Sequence, residues 1–380
     1  MSSLRFKKKW NGPIFFVFIL AIFIVGFMSF NHFYGLKKTE TFVLNKSLFQ
    51  TSSPTNDDMN PKLEDVSKLN TPYPIWSPAV VDDQSILFST ANRDGKQADQ
   101  NILYKLNTTN HSKEMIYDHL YNGLTVSPDG KILLFSSFDH STEMTKTHLY
   151  DLQTKQITKT FTGFPWKFSN DNTHYVGEQN GTIFINDINT EERKELINRG
   201  EASSELYKLA KALQTVKLFN FIFSPDGNKV YFMGYSAEGT GIYSVHLKNN
   251  TLMKVINFDG AITKLVPLAD GNLLLSGSIK GEKGLFLLNP STQKYKHLIH
   301  GTINNFDINP DGKLAYTMVE NGDNLHVAML KKDTINYDEV LYRGLEYCSF
   351  IKWSQSGNTL FCISDQINES SIYRFTFLSD

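Results

Sequence analysis

The side chains able to do chemistry are scattered rather than clustered in this 380-residue chain. Its ten histidines include no H-E-x-x-H or H-x-H spacing, and neither cysteine has a histidine nearby, so no zinc-type ligand set is written locally. His140 and His148 flank "STEMTKT", with Asp139 and Glu143 beside them. That group reads as solvated loop side chains, a weak surface metal site being the alternative. "GYSAEG" (234–239) is one residue too long for a nucleophile elbow and no helical pattern follows it, so Ser236 reads as a loop serine. "NGDN" (321–324) has too few acids for a calcium loop, and Asp57–Asp58 and Asp82–Asp83 are adjacent turn residues rather than opposed carboxylates. The expectation is a chain that is not an enzyme, with no cofactor, no metal and no catalytic residue.

The elements that would carry any site are written more plainly. "LTVSPDGKILLF" (124–135) returns as "FIFSPDGNKVYF" (221–232) and "FDINPDGKLAYT" (306–317). Pro fixes its own φ, Asp bonds back to the local backbone and Gly takes positive φ without steric cost, so each phrase is a strand–turn–strand signal. Weaker copies stand at Asp83, Asp171, Asp270 and Ser356, and successive anchors lie 46, 42, 55, 44, 41 and 45 residues apart. A third strand follows each pair ("THLYDLQ", "TGIYSVH", "KGLFLLN"), and a weaker fourth closes most units. A period in the low forties built of short strands is that of a four-stranded propeller blade. The last unit ends at its third strand, and "KLEDVSKLN" (62–70) has the place and pattern to supply the missing fourth. The expected fold is an all-β, seven-bladed β-propeller over residues 62–380, or six-bladed if the degenerate first unit fails to form.

The phrase "SPDGKILLFSS…THLYDLQTKQIT" resembles the repeat of the TolB-type propellers, which also recurs in dipeptidyl-peptidase and prolyl-oligopeptidase propeller domains. The resemblance covers roughly 62–380 and implies the fold. Binding, scaffolding and enzyme-gating roles all occur on such blades, so it implies no single function. The Gly-His and Trp-Asp signatures of WD repeats are absent, and no hydrolase pattern accompanies the blades.

The first 61 residues read as an address. "PIFFVFILAIFIVGFMSF" (13–30), continued to Leu36, is close to the about 20 apolar residues that cross a bilayer. Arg5 and Lys7–Lys9 precede it while only Lys37 and Lys38 follow. The positive-inside rule then leaves residues 1–12 as a basic cytoplasmic stub, 13–36 as a transmembrane signal anchor, 37–61 as a polar linker, and the propeller outside the membrane. A cleaved signal peptide is the alternative, although "GFMSFNHFYG" lacks a clean cleavage site. Residues 1–38 carry six cationic and no acidic side chains, so against a formal net charge of −1 the remainder carries −7. A mildly acidic body argues against nucleic acid as a partner. Cys348 and Cys362 fall on adjacent strands of one hairpin, a few residues out of register. Two buried free thiols are expected, a single cross-strand bond being the alternative.

The 55-residue interval contains "RGEASSELYKLAKALQTVKLFN" (199–220), in which Leu206, Leu209, Ala210 and Leu213 follow an amphipathic helical period. A helical insertion at about 201–216, with Ser203 or Ser204 as N-cap, is expected on the propeller face opposite the Pro-Asp-Gly turns. The long loops at 90–100 and 137–147 emerge on that face, as does "GFPWKF" (163–168). Arg93, Asp94, Asp139, His140, Glu143 and Trp166 are the candidate binding residues there, Trp166 as an exposed aromatic anchor. The functional expectation is a membrane-anchored extracytoplasmic propeller that binds a protein, ligand or cell-wall component as a scaffold or envelope accessory, in a Gram-positive setting. A propeller lyase or glycosidase with its site in the central channel is the alternative.

Overall fold

Each Pro-Asp-Gly phrase folds as its chemistry requires. The Ser127 hydroxyl donates to Asp129 Oδ1 (2.6 Å), Gly130 N–H donates to Ser127 O (2.9 Å) at φ +71°, and Ile132 N–H donates to Ser127 Oγ (2.9 Å). Ser224, Asp226 and Gly227 repeat the arrangement at 2.5 and 2.9 Å with φ +70°. The Ser224 hydroxyl, with Asn228, draws the Asp226 carboxyl down to about 2. These aspartates belong to the turns.

The computed structural model describes residues 62–91, 101–197, 217–236, 239–319 and 323–378. Their strands pair antiparallel into seven four-stranded sheets, the seven blades of a β-propeller. Six sheets run in chain order. The seventh joins Leu63–Thr71 to Ser370–Phe377, with Leu63 opposite Phe377 and Thr71 opposite Ser370. Residues about 300 positions apart in sequence thus share one blade, and the ring closes through backbone hydrogen bonds rather than an exposed edge.

Seven apolar clusters fill the spaces between consecutive blades, including the seam where the last meets the first. In Ile132–Asp139, Leu133 and Phe135 face the cluster shared with blade 1, and Leu134 faces the one shared with blade 3. Successive strand side chains point to opposite faces, so a blade buried on both faces needs a continuous apolar run. That requirement explains "KILLF", "KVYFM" and "NLLLS".

No helix occurs among the described residues, and so none there is long and apolar enough to cross a membrane. The expected stub (1–12), membrane segment (13–36), linker (37–61) and helical insertion (201–216) lie outside the described residues.

Candidate functional site

Seven inner strands line the axis: Trp76–Val80, Asn122–Val126, Phe164–Phe168, Lys217–Phe223, Ile262–Pro267, Ile303–Ile308 and Cys348–Trp353. Each departs from regular register where it pairs with the second strand of its blade. Such bulges bend a strand and re-aim its side chains. Four residues before each turn anchor the blades present Ala79, Thr125, Lys167, Ile222, Val266, Asp307 and Lys352 in turn. Three of the seven are charged. Two residues further back on the blade 5 strand stands a third lysine, Lys264.

The charges are distributed unevenly. Lys352 Nζ bonds Asp307 Oδ1 (2.8 Å), and Trp353 N–H donates to Asp307 Oδ2 (2.9 Å), so the buried carboxylate is committed to blade 7 on both oxygens. Lys264 Nζ donates to Asn305 Oδ1 (3.0 Å) and to the Phe306 carbonyl, joining blade 5 to blade 6. Both lysines are staples across seams. Lys167, in blade 3, makes no hydrogen bond or ion pair among the described residues, and it lines a cavity of about 450 Å3.

That cavity opens among the turns of blades 3 to 6, where Asn170, Pro225, Asp270 and Pro310 stand at its rim. Its wall is largely apolar, with Ile222, Val266, Ile308 and Leu330 lining it together with Lys167. The half-buried Lys167 sits deep in the wall yet keeps a water-reached surface. Burial depresses it to about 8, Lys352 and Lys264 adding repulsion against a smaller opposing pull from Asp307. Lys264 is likewise held at about 8, chiefly by burial. A few polar groups in an apolar concavity describe a small-molecule site.

The residues chosen from sequence come out differently. Arg93 and Asp94 lie outside the described residues. Asp139, His140 and Glu143 stand together at the hairpin between the second and third strands of blade 2. Asp139 pairs with Lys146 (2.7 Å) and accepts from Ser141, contacts that hold its carboxyl far below the usual range. His140 meets Phe138 edge-on with ring centroids 5.1 Å apart. Trp166 differs from the expected exposed anchor: it is half-buried between Phe164 and Phe221, because its inner strand packs against blade 4. Its Nε1 is buried and has no partner among the described residues. His148 is separated from the Asp139 group, buried with Nε2 2.7 Å from Ser137 Oγ. Cys348 and Cys362 are buried and free, with sulfurs 3.0 Å apart. The bulge between Cys348 and Phe350 sets Cys348 opposite Ser364, diagonal to Cys362, which shortens the offset inferred from sequence. The channel lysines were missed altogether. Lining up the seven units at the position four before the turn would have exposed two of them.

No family model matches the chain, and no curated protein matches it. Solved structures do. An oligogalacturonate lyase in complex with manganese is 15% identical over 90% of this chain and 98% of that one, with a TM-score of 0.59. A structure from work on two prolyl endopeptidases is 14% identical over 80% of this chain, TM-score 0.57, and this chain spans about half (48%) of its length. The propeller domain of the trilobed protease from Pyrococcus furiosus is 13% identical, covering 81% and 98% of the two chains, with a TM-score of 0.56. That domain is described as an open velcro, whereas here Leu63–Thr71 closes the last blade. TolB from Acinetobacter baumannii also matches, with a TM-score of 0.44 over 68% of this chain, too low to argue from. At these identities the likeness establishes the propeller fold alone. It also corrects one expectation. The chain was expected not to be an enzyme because no local motif was found, yet its structural neighbours include peptidases and a lyase on the same fold. A propeller channel draws its residues one or two per blade, so the lack of a contiguous motif is no argument against catalysis.

Proposed function

We propose that this chain is a membrane-anchored extracytoplasmic propeller that binds a ligand or partner of the cell envelope in its central channel, at the end where the Pro-Asp-Gly turns lie. The observation that carries the reading is the convergence of Lys167, Lys264, Lys352 and Asp307 from four blades, with Lys167 unpaired among the described residues at an apolar cavity. Residues 13–36 would hold the propeller at the membrane, with the basic stub inside and residues 37–61 as tether.

A second reading, catalysis in the same channel, is favoured by the lysines held at about 8. An amine that titrates near neutrality can take up a proton where an ordinary lysine cannot. Both readings use one site, and oligogalacturonate, named in two neighbouring structures, is an example of an anionic substrate for this fold.

The test is a photo-cross-linking amino acid at Val266, in the cavity wall, compared with one at Met253 on an exposed outer strand. In intact cells the full chain should form an adduct from Val266 and not from Met253. Adducts from Met253 alone would move the binding surface to the rim of the disc and end the channel reading.

A further inference from the structure

We infer that the turn-side end of the channel is an oxyanion site, in which Lys167 Nζ receives the carboxylate or phosphate of a small organic ligand whose apolar body lies against Ile222, Val266 and Ile308. The inference rests on the channel reading above and adds the chemical class of the ligand.

Charge is the first argument. Within the channel three ammonium groups face one carboxylate, and that carboxylate is already engaged by Lys352 and the Trp353 N–H. Asp270 and Lys332 also line the cavity, one charge of each sign, and the Asp270 carboxylate accepts from Asn272 within its own turn. Lys167 is therefore the channel cation that no carboxylate contacts among the described residues, Asp307 acting on it only through space while bonded to Lys352. An ammonium removed from water without a partner is costly, and the cost falls when an anion comes to it. Lys264 and Lys352 strengthen the same field although each is hydrogen-bonded, because Coulomb attraction does not need contact.

Shape is the second. About 450 Å3 lies within the range of small-molecule pockets. The wall at Ile222, Val266, Ile308, Pro310 and Leu330 offers almost no hydrogen-bond donors, so a heavily hydroxylated ligand would leave its hydroxyls unmatched there. One anionic head on an apolar body fits the lining. Such a molecule could be a soluble organic acid or phosphate, or the end of a lipid.

The full-length protein in a neutral detergent should be titrated calorimetrically at pH 7 with phenyl phosphate, inorganic phosphate, dihexanoylphosphatidic acid and benzyl alcohol. Phenyl phosphate should bind at least tenfold more tightly than inorganic phosphate, and benzyl alcohol should not bind. Tighter binding of the phosphatidic acid than of phenyl phosphate would assign the lipid source, and the reverse order the soluble one; both support the site. Lys167→Met should weaken phenyl phosphate at least tenfold, Lys167→Arg should retain it, and Val266→Trp should exclude it by filling the cavity. Affinity should also decline between pH 7 and 9.5 as the lysines lose their protons. Phenyl phosphate binding unchanged by both Lys167→Met and Val266→Trp, or equal binding of benzyl alcohol, would overturn the inference. A Val266 cross-link in cells combined with either result would keep the channel reading and make its ligand neutral, so the two claims fail separately.

Discussion

Replacing Lys167 by methionine removes an ammonium from the channel and keeps a flexible chain of similar length against Ile222 and Val266. Burial holds the lysine at about 8 in the folded protein, below its ordinary value of 10.5. At about 1.4 kcal/mol for each tenfold change in acidity, that depression sets an upper limit of roughly 3 kcal/mol of destabilisation at pH values below 8. Water reaching the half-buried side chain through the cavity reduces that to roughly 1–2 kcal/mol. For a domain of this size each kcal/mol shifts the melting temperature by about 2 °C, so the variant should melt about 2–4 °C higher at pH 7. The sign follows from linkage. Because the folded pKa is depressed, the native state releases its proton first, and the native protein gains stability as pH rises from 8 to 10.5. The advantage of Lys167→Met should therefore be complete at pH 7, shrink from pH 8 upward and vanish near 10.5. Differential scanning calorimetry in buffers without multivalent anions measures it directly. A variant that melts lower at pH 7, or whose gain is the same at pH 7 and 10.5, would refute the assignment of an uncompensated ammonium.

Asp307→Asn should have the opposite effect, lowering unfolding free energy by about 2–4 kcal/mol in urea titrations, because Lys352 loses its ion-pair partner and the Trp353 N–H keeps at best a weaker acceptor. Adding Lys352→Met to that variant should recover part of the loss. Cys348 and Cys362 are buried, and burial raises the Cys362 thiol well above its ordinary range, so N-ethylmaleimide should label neither in the native protein and both after denaturation. Rapid native labelling of either thiol would contradict the closed blade. Deleting residues 62–71 should expose the edge of Ser370–Phe377 and remove Val66 from the cluster between blades 6 and 7, with early melting and aggregation seen by light scattering. Unchanged melting would mean that closure contributes little.

The blade count was legible because a blade advertises itself locally. A turn needing Pro, Asp and Gly at fixed offsets, and strands buried on both faces, write their requirements into neighbouring residues. Ring closure was legible for a related reason: a third strand without a fourth, Ser370–Phe377, calls for a partner, and Leu63–Thr71 brings Leu63, Val66 and Leu69 against the neighbouring clusters. The channel was not. Lys167, Asp307 and Lys352 lie 140 and 45 residues apart in sequence and meet only because equivalent strand positions converge on an axis. Taken singly, each is an ordinary charged residue in a short strand. The burial of Trp166 was illegible for the same reason, since the inner-strand packing that half-covers it comes from Phe221 in the next blade. The sulfurs of Cys348 and Cys362 come together through a bulge at residues 348–350, and bulges leave no compositional mark.

The central claim is that the channel holds an anion at Lys167, and the most direct measurement is a crystal structure of the full-length protein grown with phenyl phosphate. The account predicts the phosphate group within hydrogen-bond distance of Lys167 Nζ and the ring against Ile222 and Val266. Phosphate density on surface lysines alone, with the cavity filled only by water at saturating ligand, would contradict it.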